Sequence, residues 1–309
     1  MFVLTIFNQI LILFLLMGTG YVLAKKNKMD NHTADQLTFL LCYVIMPCVV
    51  FAAFQKDFDP VMFHNLIIVA GITVLVHLIF IFLSYVLFNK KTVPSEITRH
   101  TLQFSSIYSN CGFMGFPLLS TLVGMQGVFY GSVYVGIYGL FLWTHGFLLY
   151  SERFDFKSLM NVILNPNILV MIIVIPMYML SIHLPTAIVS PIKYLADLNT
   201  ALSMLVIGAT MTSLPISNLF SDMKVWLCVL VRNFILPIIV LLLFAPWGLG
   251  KEVLLSIVIL SACPTAGLAV LFARLTGSDV VFPGKIMAFS TIASFVSMPV
   301  LIIMVHALG

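Results

Sequence analysis

The chain has 309 residues, of which 61% are hydrophobic and only 8% charged, with a net charge of +4. A water-soluble domain carries roughly a quarter charged residues, so this composition excludes an ordinary soluble surface and makes lipid the solvent for much of the chain. The basic residues sit between apolar runs and not in one patch, which excludes a nucleic-acid-binding face.

Each apolar run is about as long as the ~20 residues that cross a bilayer as a helix. The runs are continuous, unlike the ~10-residue alternating strands of a membrane barrel. Lipid offers no partner to backbone N–H and C=O groups, so these runs must be helices. In chain order the predicted spans are Phe2–Ala24, Ala34–Phe54, Val61–Phe88, Glu96–Leu122, Val128–Tyr150, Pro166–His183, Ile192–Met211, Met223–Ala245, Glu252–Ala273 and Val280–Val305. The first run has no basic segment before it, so no cleavable signal peptide is expected.

Basic residues set the orientation. The loops after spans one, three, five, seven and nine, with the adjoining helix ends, hold Lys25, Lys26, Lys28, Lys90, Lys91, Arg99, Arg153, Lys157, Lys224, Arg274 and Lys285. The opposite side holds only Lys56, Lys193 and Lys251, and Arg232 lies inside a span. Both termini are therefore expected outside the cytoplasm, in a multi-pass protein of the cell (inner) membrane. The chain divides into residues 1–150, a charged cytoplasmic connector at 151–164, and residues 165–309. Each half holds five spans. An odd number makes the second half an inverted copy of the first, a design shared by many secondary transporters.

Two spans carry matching interruptions. The fourth reads Ser109-Asn110-Cys111-Gly112-Phe113-Met114-Gly115-Phe116-Pro117, and the ninth reads Ser261-Ala262-Cys263-Pro264-Thr265-Ala266-Gly267. Proline deletes a helical hydrogen bond and glycine lowers the cost of non-helical backbone. Such breaks are tolerated in a membrane only where protein or an aqueous cavity surrounds them. Two breaks in inverted repeats are expected to meet near the midplane, where freed N–H groups favour an anion. Asn110, Gly112, Pro117, Pro264 and Thr265 are the candidate substrate-binding residues there. Gly112 and Gly115 also suit plain helix packing.

Arg232, near the middle of the eighth span, costs at least ~2.5 kcal/mol to insert. It needs an anionic ligand, a carboxylate, water or backbone carbonyls, and a substrate carboxylate and carbonyl packing are weighed equally. Asp197 and Glu252 fall near predicted span ends, too far out to serve it. His77 and His145 are candidates for proton-linked coupling because histidine titrates near neutral pH, against the simpler reading of packed side chains. The five cysteines lie in apolar runs without metal-ligand spacing, so no metal is expected. No cofactor is expected either. Pro283-Gly284-Lys285 lacks the remainder of a phosphate loop, and no group of acid, base and nucleophile suggests an enzyme.

The segment Asn110–Pro117 resembles the Asn-x-Gly-x-x-Gly-x-Pro motif of the auxin efflux carrier family. Asn165-Pro166, Gly208-Ala209 and Cys263-Pro264-Thr265-Ala266 are also similar to that family, and the resemblance covers the whole chain. The short central connector resembles the bacterial branch, which includes malonate and malate permeases. The resemblance implies an all-α polytopic fold of ten transmembrane helices, as two inverted five-helix repeats with helices four and nine broken and crossed. It implies a scaffold of helices one, two, six and seven, a mobile transport domain of helices three to five and eight to ten, an elevator-type motion and a homodimer. Plant members resemble Pro-Gln-Gly after the ninth-span proline. Thr265-Ala266 stand there instead, so auxin is not the expected cargo.

The expected function is thus a secondary active transporter or facilitator of small organic anions, mono- or dicarboxylates, with a sodium ion or a proton as candidate coupling ion. An anion channel would differ by its far faster conduction. A membrane receptor or sensor for a small carboxylate would bind without net flux.

Overall fold

The computed structural model describes residues 2–151, 165–213 and 220–308. All of the predicted connector beyond Ser151 lies outside the described residues. In chain order the helices are α1 (Phe2–Lys25), α2 (Asn31–Phe54), α3 (Pro60–Leu87), α4 (Glu96–Ile107), α5 (Cys111–Leu122) and α6 (Met125–Gly146). They continue with α7 (Pro166–Met179), α8 (Thr186–Thr210), α9 (Met223–Trp247), α10 (Lys251–Ala262), α11 (Leu268–Leu275) and α12 (Val281–Leu308). Seven of them, α1, α2, α3, α6, α8, α9 and α12, are long and apolar enough to cross a membrane. The protein is therefore a helical, multi-pass membrane protein.

Local chemistry sets the ends. Asp30, Asp59, Ser95 and Asp222 cap the starts of α2, α3, α4 and α9 by accepting from backbone N–H groups of the first turn. The hydrogen bonds from Thr33 hold the Asp30 carboxyl below the usual carboxylate range. Gly124 and Gly277 follow α5 and α11 with φ of 79° and 67°, a conformation that strains a residue with a Cβ. The two interrupted helices thus end in the same kind of turn.

Three interior prolines share one accommodation. Widened π turns at Leu41–Ile45, Cys111–Gly115 and Val231–Ile235 each end two residues before a proline, at Pro47, Pro117 and Pro237. A proline ring collides with the carbonyl four residues earlier in a regular helix. That carbonyl, of Tyr43, Phe113 or Asn233, lies inside the widened turn in every case. A fourth π turn, Leu142–Gly146, has no following proline and carries His145.

The closest packing runs within two groups of helices, which also meet where α2 touches α6 and α1 touches α12. In the first, α8 packs along α1 and α2, and α2 packs on α7. In the second, α10 packs on α6, α9 and α12, and α3 packs on α4 and α6. Burial is lowest in α1, where 28% of the apolar window is buried, and highest in α12, at 67%. At the centre of the second group, every residue of α10 from Val253 to Ala262 is buried.

Two boundaries differ from the sequence expectation. The sixth span was expected to reach His183 and the seventh to start at Ile192. Instead α7 stops at Met179, and α8 begins directly after Pro185. Pro191 lies inside α8 without ending it, and Lys193 sits within the helix. Asp197, expected near a span end, is consequently the twelfth of the 25 residues of α8, and it is exposed.

Candidate functional site

The chain leaves helical geometry at Tyr108–Asn110, between α4 and α5, and at Cys263–Gly267, between α10 and α11. The two extended segments cross antiparallel, with Ser109 opposite Thr265. The Asn110 N–H donates to the Pro264 carbonyl at 2.7 Å, and the Ala266 N–H donates to the Tyr108 carbonyl at 3.0 Å. Each break thereby satisfies the other's backbone. Either alone would strand polar groups in an apolar interior, at a cost of several kcal/mol each.

Side chains complete the crossing. Thr265, 1% exposed, donates its hydroxyl to the Ser105 carbonyl at 2.9 Å, and Ser109 donates to the Leu260 carbonyl at 3.1 Å. The Thr265 N–H donates to Ser290 Oγ at 3.0 Å; Ser290 in turn donates to Asn233 Oδ1 at 2.6 Å. Asn233 closes this link by donating to the Ser290 carbonyl at 2.9 Å. Sequence reasoning missed Asn233 and Ser290. The readable signal was the stripe Ser290, Ser294 and Ser297, which falls on one face of the last span.

Arg232 is fully buried beneath the crossing. Its Nε donates to the Cys263 carbonyl at 3.0 Å, and its Nη1 donates to the Ser106 and Ile107 carbonyls at 3.0 Å each. Its Nη2 donates to the Ser261 carbonyl. These four carbonyls close the last turns of α4 and α10, where helices leave acceptors unpaired. The carbonyl partners that one of the two readings of Arg232 calls for are in place.

Asn110 is different. It is half-buried, its side chain caps no N–H, and its amide takes no hydrogen bond among the described residues. No side chain caps the start of α5 or of α11. Gly112, on the first turn of α5, lies against α2: a Cβ there would sit 2.8 Å from Met46 Cε. The first turns of α5 also pack on α8. Asn110, Gly112, Pro264 and Thr265 therefore come together at the crossing, and Pro117 is buried at the end of the α5 π turn. Cys111 and Cys263 are both buried here; a Cβ on Gly115 would lie 3.4 Å from Cys263 Sγ and 3.8 Å from Cys111 Cβ.

The histidines lie outside this cluster. His77 is 1% exposed, donates from Nδ1 to the Thr73 carbonyl at 2.8 Å and stacks on Phe141 at 5.0 Å. His145 is half-buried between two phenols, with Tyr108 Oη 2.8 Å from Nδ1 and Tyr85 Oη 3.3 Å from Nε2. Through Tyr108 it touches the residue that opens the first break.

Among the described residues, one cluster of polar bonds joins the two helix groups. The α2–α3 connector meets the α7–α8 turn through the Phe58 N–H to Ser181 Oγ (3.0 Å) and the Asp59 N–H to Tyr178 Oη (3.0 Å). The His183–Asp57 pair (2.8 Å) and the Leu184 N–H to Gln55 Oε1 (3.2 Å) complete this clasp. Lys56 lies over the Phe129 ring at 4.5 Å, and burial lowers its pKa from the usual lysine value. A cleft of about 220 Å³ opens between α1, the end of α8 and α12. Phe14, Met17, Gly18, Tyr21, Met211 and Thr291 line it.

A helical membrane protein with two interrupted helices crossed in its interior has the architecture of a membrane transporter. The comparison with known families agrees: the model of the family described as "Membrane transport protein" matches residues 5–155 and 151–302. The chain belongs to this family, that of the auxin efflux carriers. No individually curated protein matches it.

Proposed function

We propose that the protein is a secondary carrier of small organic anions, mono- or dicarboxylates of the malate and malonate kind, from the bacterial branch of its family. The observation that carries this is the crossing itself: two interrupted helices satisfy each other's backbone, while the Asn110 amide beside them has no hydrogen bond among the described residues. The uncapped start of α5 adds backbone N–H groups and the positive end of a helix dipole, which suit a carboxylate. Cargo binds at Asn110 and the first turn of α5. Gly112, Pro117, Pro264 and Thr265 shape the site, and Arg232 supports it from beneath.

In this reading α4 with α5 and α10 with α11 each cross the membrane once, giving ten spans in two inverted repeats. The matched breaks and the matched turns at Gly124 and Gly277 support it. The group α1, α2, α7 and α8 is the scaffold, and the remaining helices form the transport domain. An elevator motion between them is supported by the open cleft between α1 and α12 and by the close packing within each group. Both termini lie outside the cytoplasm, in keeping with the basic loops. A homodimer through the scaffold is supported by exposed Lys193 and Asp197 within α8, since lipid disfavours a bare carboxylate at that depth. Two coupling ions are candidates: a proton carried through His145, because His77 is enclosed, and a sodium ion.

Uptake by the purified protein in proteoliposomes tests the reading. Saturable uptake of labelled malonate or malate is the expected result. Absence of saturable uptake across mono- and dicarboxylates, with or without sodium and a pH gradient, removes it.

A further inference from the structure

We propose that Arg232 sets the sign of the cargo's charge without touching the cargo. This rests on the reading that cargo binds at Asn110. Four of the five guanidinium N–H groups are spent on the carbonyls of Ser106, Ile107, Ser261 and Cys263. The residue has no exposed surface, and the Phe80 ring lies 5.5 Å from its guanidinium carbon. No face remains for a bidentate grip on a carboxylate.

The charge acts nonetheless. Four half-helix ends meet at the crossing. α4 and α10 bring C-termini, each equivalent to about −0.5 of an elementary charge, and α5 and α11 bring N-termini of about +0.5 each. Without Arg232 these four ends cancel. Arg232 sits on the two C-termini and neutralises them, which leaves the N-terminal ends uncompensated and the crossing at roughly +1. No carboxylate lies within ion-pair distance of Arg232 among the described residues. A nearby unit charge, at an effective dielectric of ~20, changes the affinity for a monovalent ligand by roughly tenfold or more. Asn110 reads hydrogen-bonding shape, which a carboxylate and a primary amide share in outline; Arg232 separates the two by charge. Arg232 is thus a positioning and charge-selecting residue.

The test uses malonate, its monoamide and its diamide, which keep one skeleton while the charge falls stepwise to zero. Binding to purified full-length protein is titrated calorimetrically for wild type, Arg232→Lys and Arg232→Gln. The expected wild-type order is malonate, then monoamide, then diamide, with tenfold or more per charge. Arg232→Lys keeps that ratio while binding all three less tightly, because an ammonium cannot hold four carbonyls. Arg232→Gln brings the ratio to within about threefold. Two results overturn the proposal and leave the carrier reading intact: equal wild-type binding of malonate and diamide, or a folded Arg232→Gln that keeps the wild-type ratio. If Arg232→Gln does not fold, loss of the ratio in Arg232→Lys overturns it just as well. Wild type that binds none of the three, nor any other carboxylate, removes the carrier reading itself.

Discussion

Backbone lies against backbone at two places in this bundle, and the two contacts are built in opposite ways. Where α1 meets α8, Gly20 and Gly208 leave bare helix surface. A Cβ on Gly208 would overlap the Met17 carbonyl, and one on Gly20 would overlap that of Leu205. Nothing polar is spent there, because both helices keep their own hydrogen bonds. Where the interrupted helices cross, hydrogen bonds are broken and remade between segments, and Thr265, Ser109, Ser290, Asn233 and Arg232 hold the result. The first contact is close packing between complete helices. The second is a polar knot in an apolar interior, which costs insertion energy and offers in return a fixed set of polar groups. Function is expected at the knot, and rigidity at the glycines.

The largest stability loss is expected at the glycine contact. Gly208→Leu has no space to fill and must separate α1 from α8, lowering stability by about 3 kcal/mol or more, read as a fall in melting temperature in detergent. Arg232→Met comes next. Four stranded carbonyls at ~1 kcal/mol or more each outweigh the ~2.5 kcal/mol recovered by not burying the guanidinium. A net loss of about 2 kcal/mol is expected, with the preference for a charged cargo over its diamide lost. Thr265→Val removes one hydroxyl and leaves the Ser105 carbonyl short of a donor, for about 1 kcal/mol. Gly18→Leu should be near neutral in stability, since a Cβ there meets nothing within 4 Å. It fills the cleft between the two groups and is expected to slow transport several-fold while cargo binding is kept. If Gly208→Leu were neutral and Gly18→Leu unfolding, the contrast between the contacts would be lost.

The broken helices were legible in the sequence because proline, glycine and amide groups in mid-span are costly in lipid and therefore stand out. Asn110 and Thr265 stood out for the same reason. The partners of Arg232 did not. They are carbonyls, which every residue carries, and only the convergence of α4 and α10 decides which ones point at the guanidinium. The clasp was equally hidden, because Gln55–Asp59 and Tyr178–Leu184 are ordinary loop sequences until the fold brings them together. The α7–α8 boundary went astray because Pro191 and Lys193 look like a helix start, whereas the helix begins after Pro185 and carries both inside. His77 and His145 were indistinguishable as sequence. Stacking on Phe141 and the phenols of Tyr85 and Tyr108 separate them.

The central claim is that cargo binds at the crossing through Asn110. Ligand bound to the folded state raises its apparent stability with ligand concentration. The decisive measurement is therefore the malonate-induced shift in melting temperature of wild type against Asn110→Ala. The Asn110 amide has no partner to lose among the described residues, so the two proteins should melt within about 0.5 kcal/mol of each other without ligand, and only wild type should be stabilised by malonate. Equal ligand-induced stabilisation of both proteins would contradict the account.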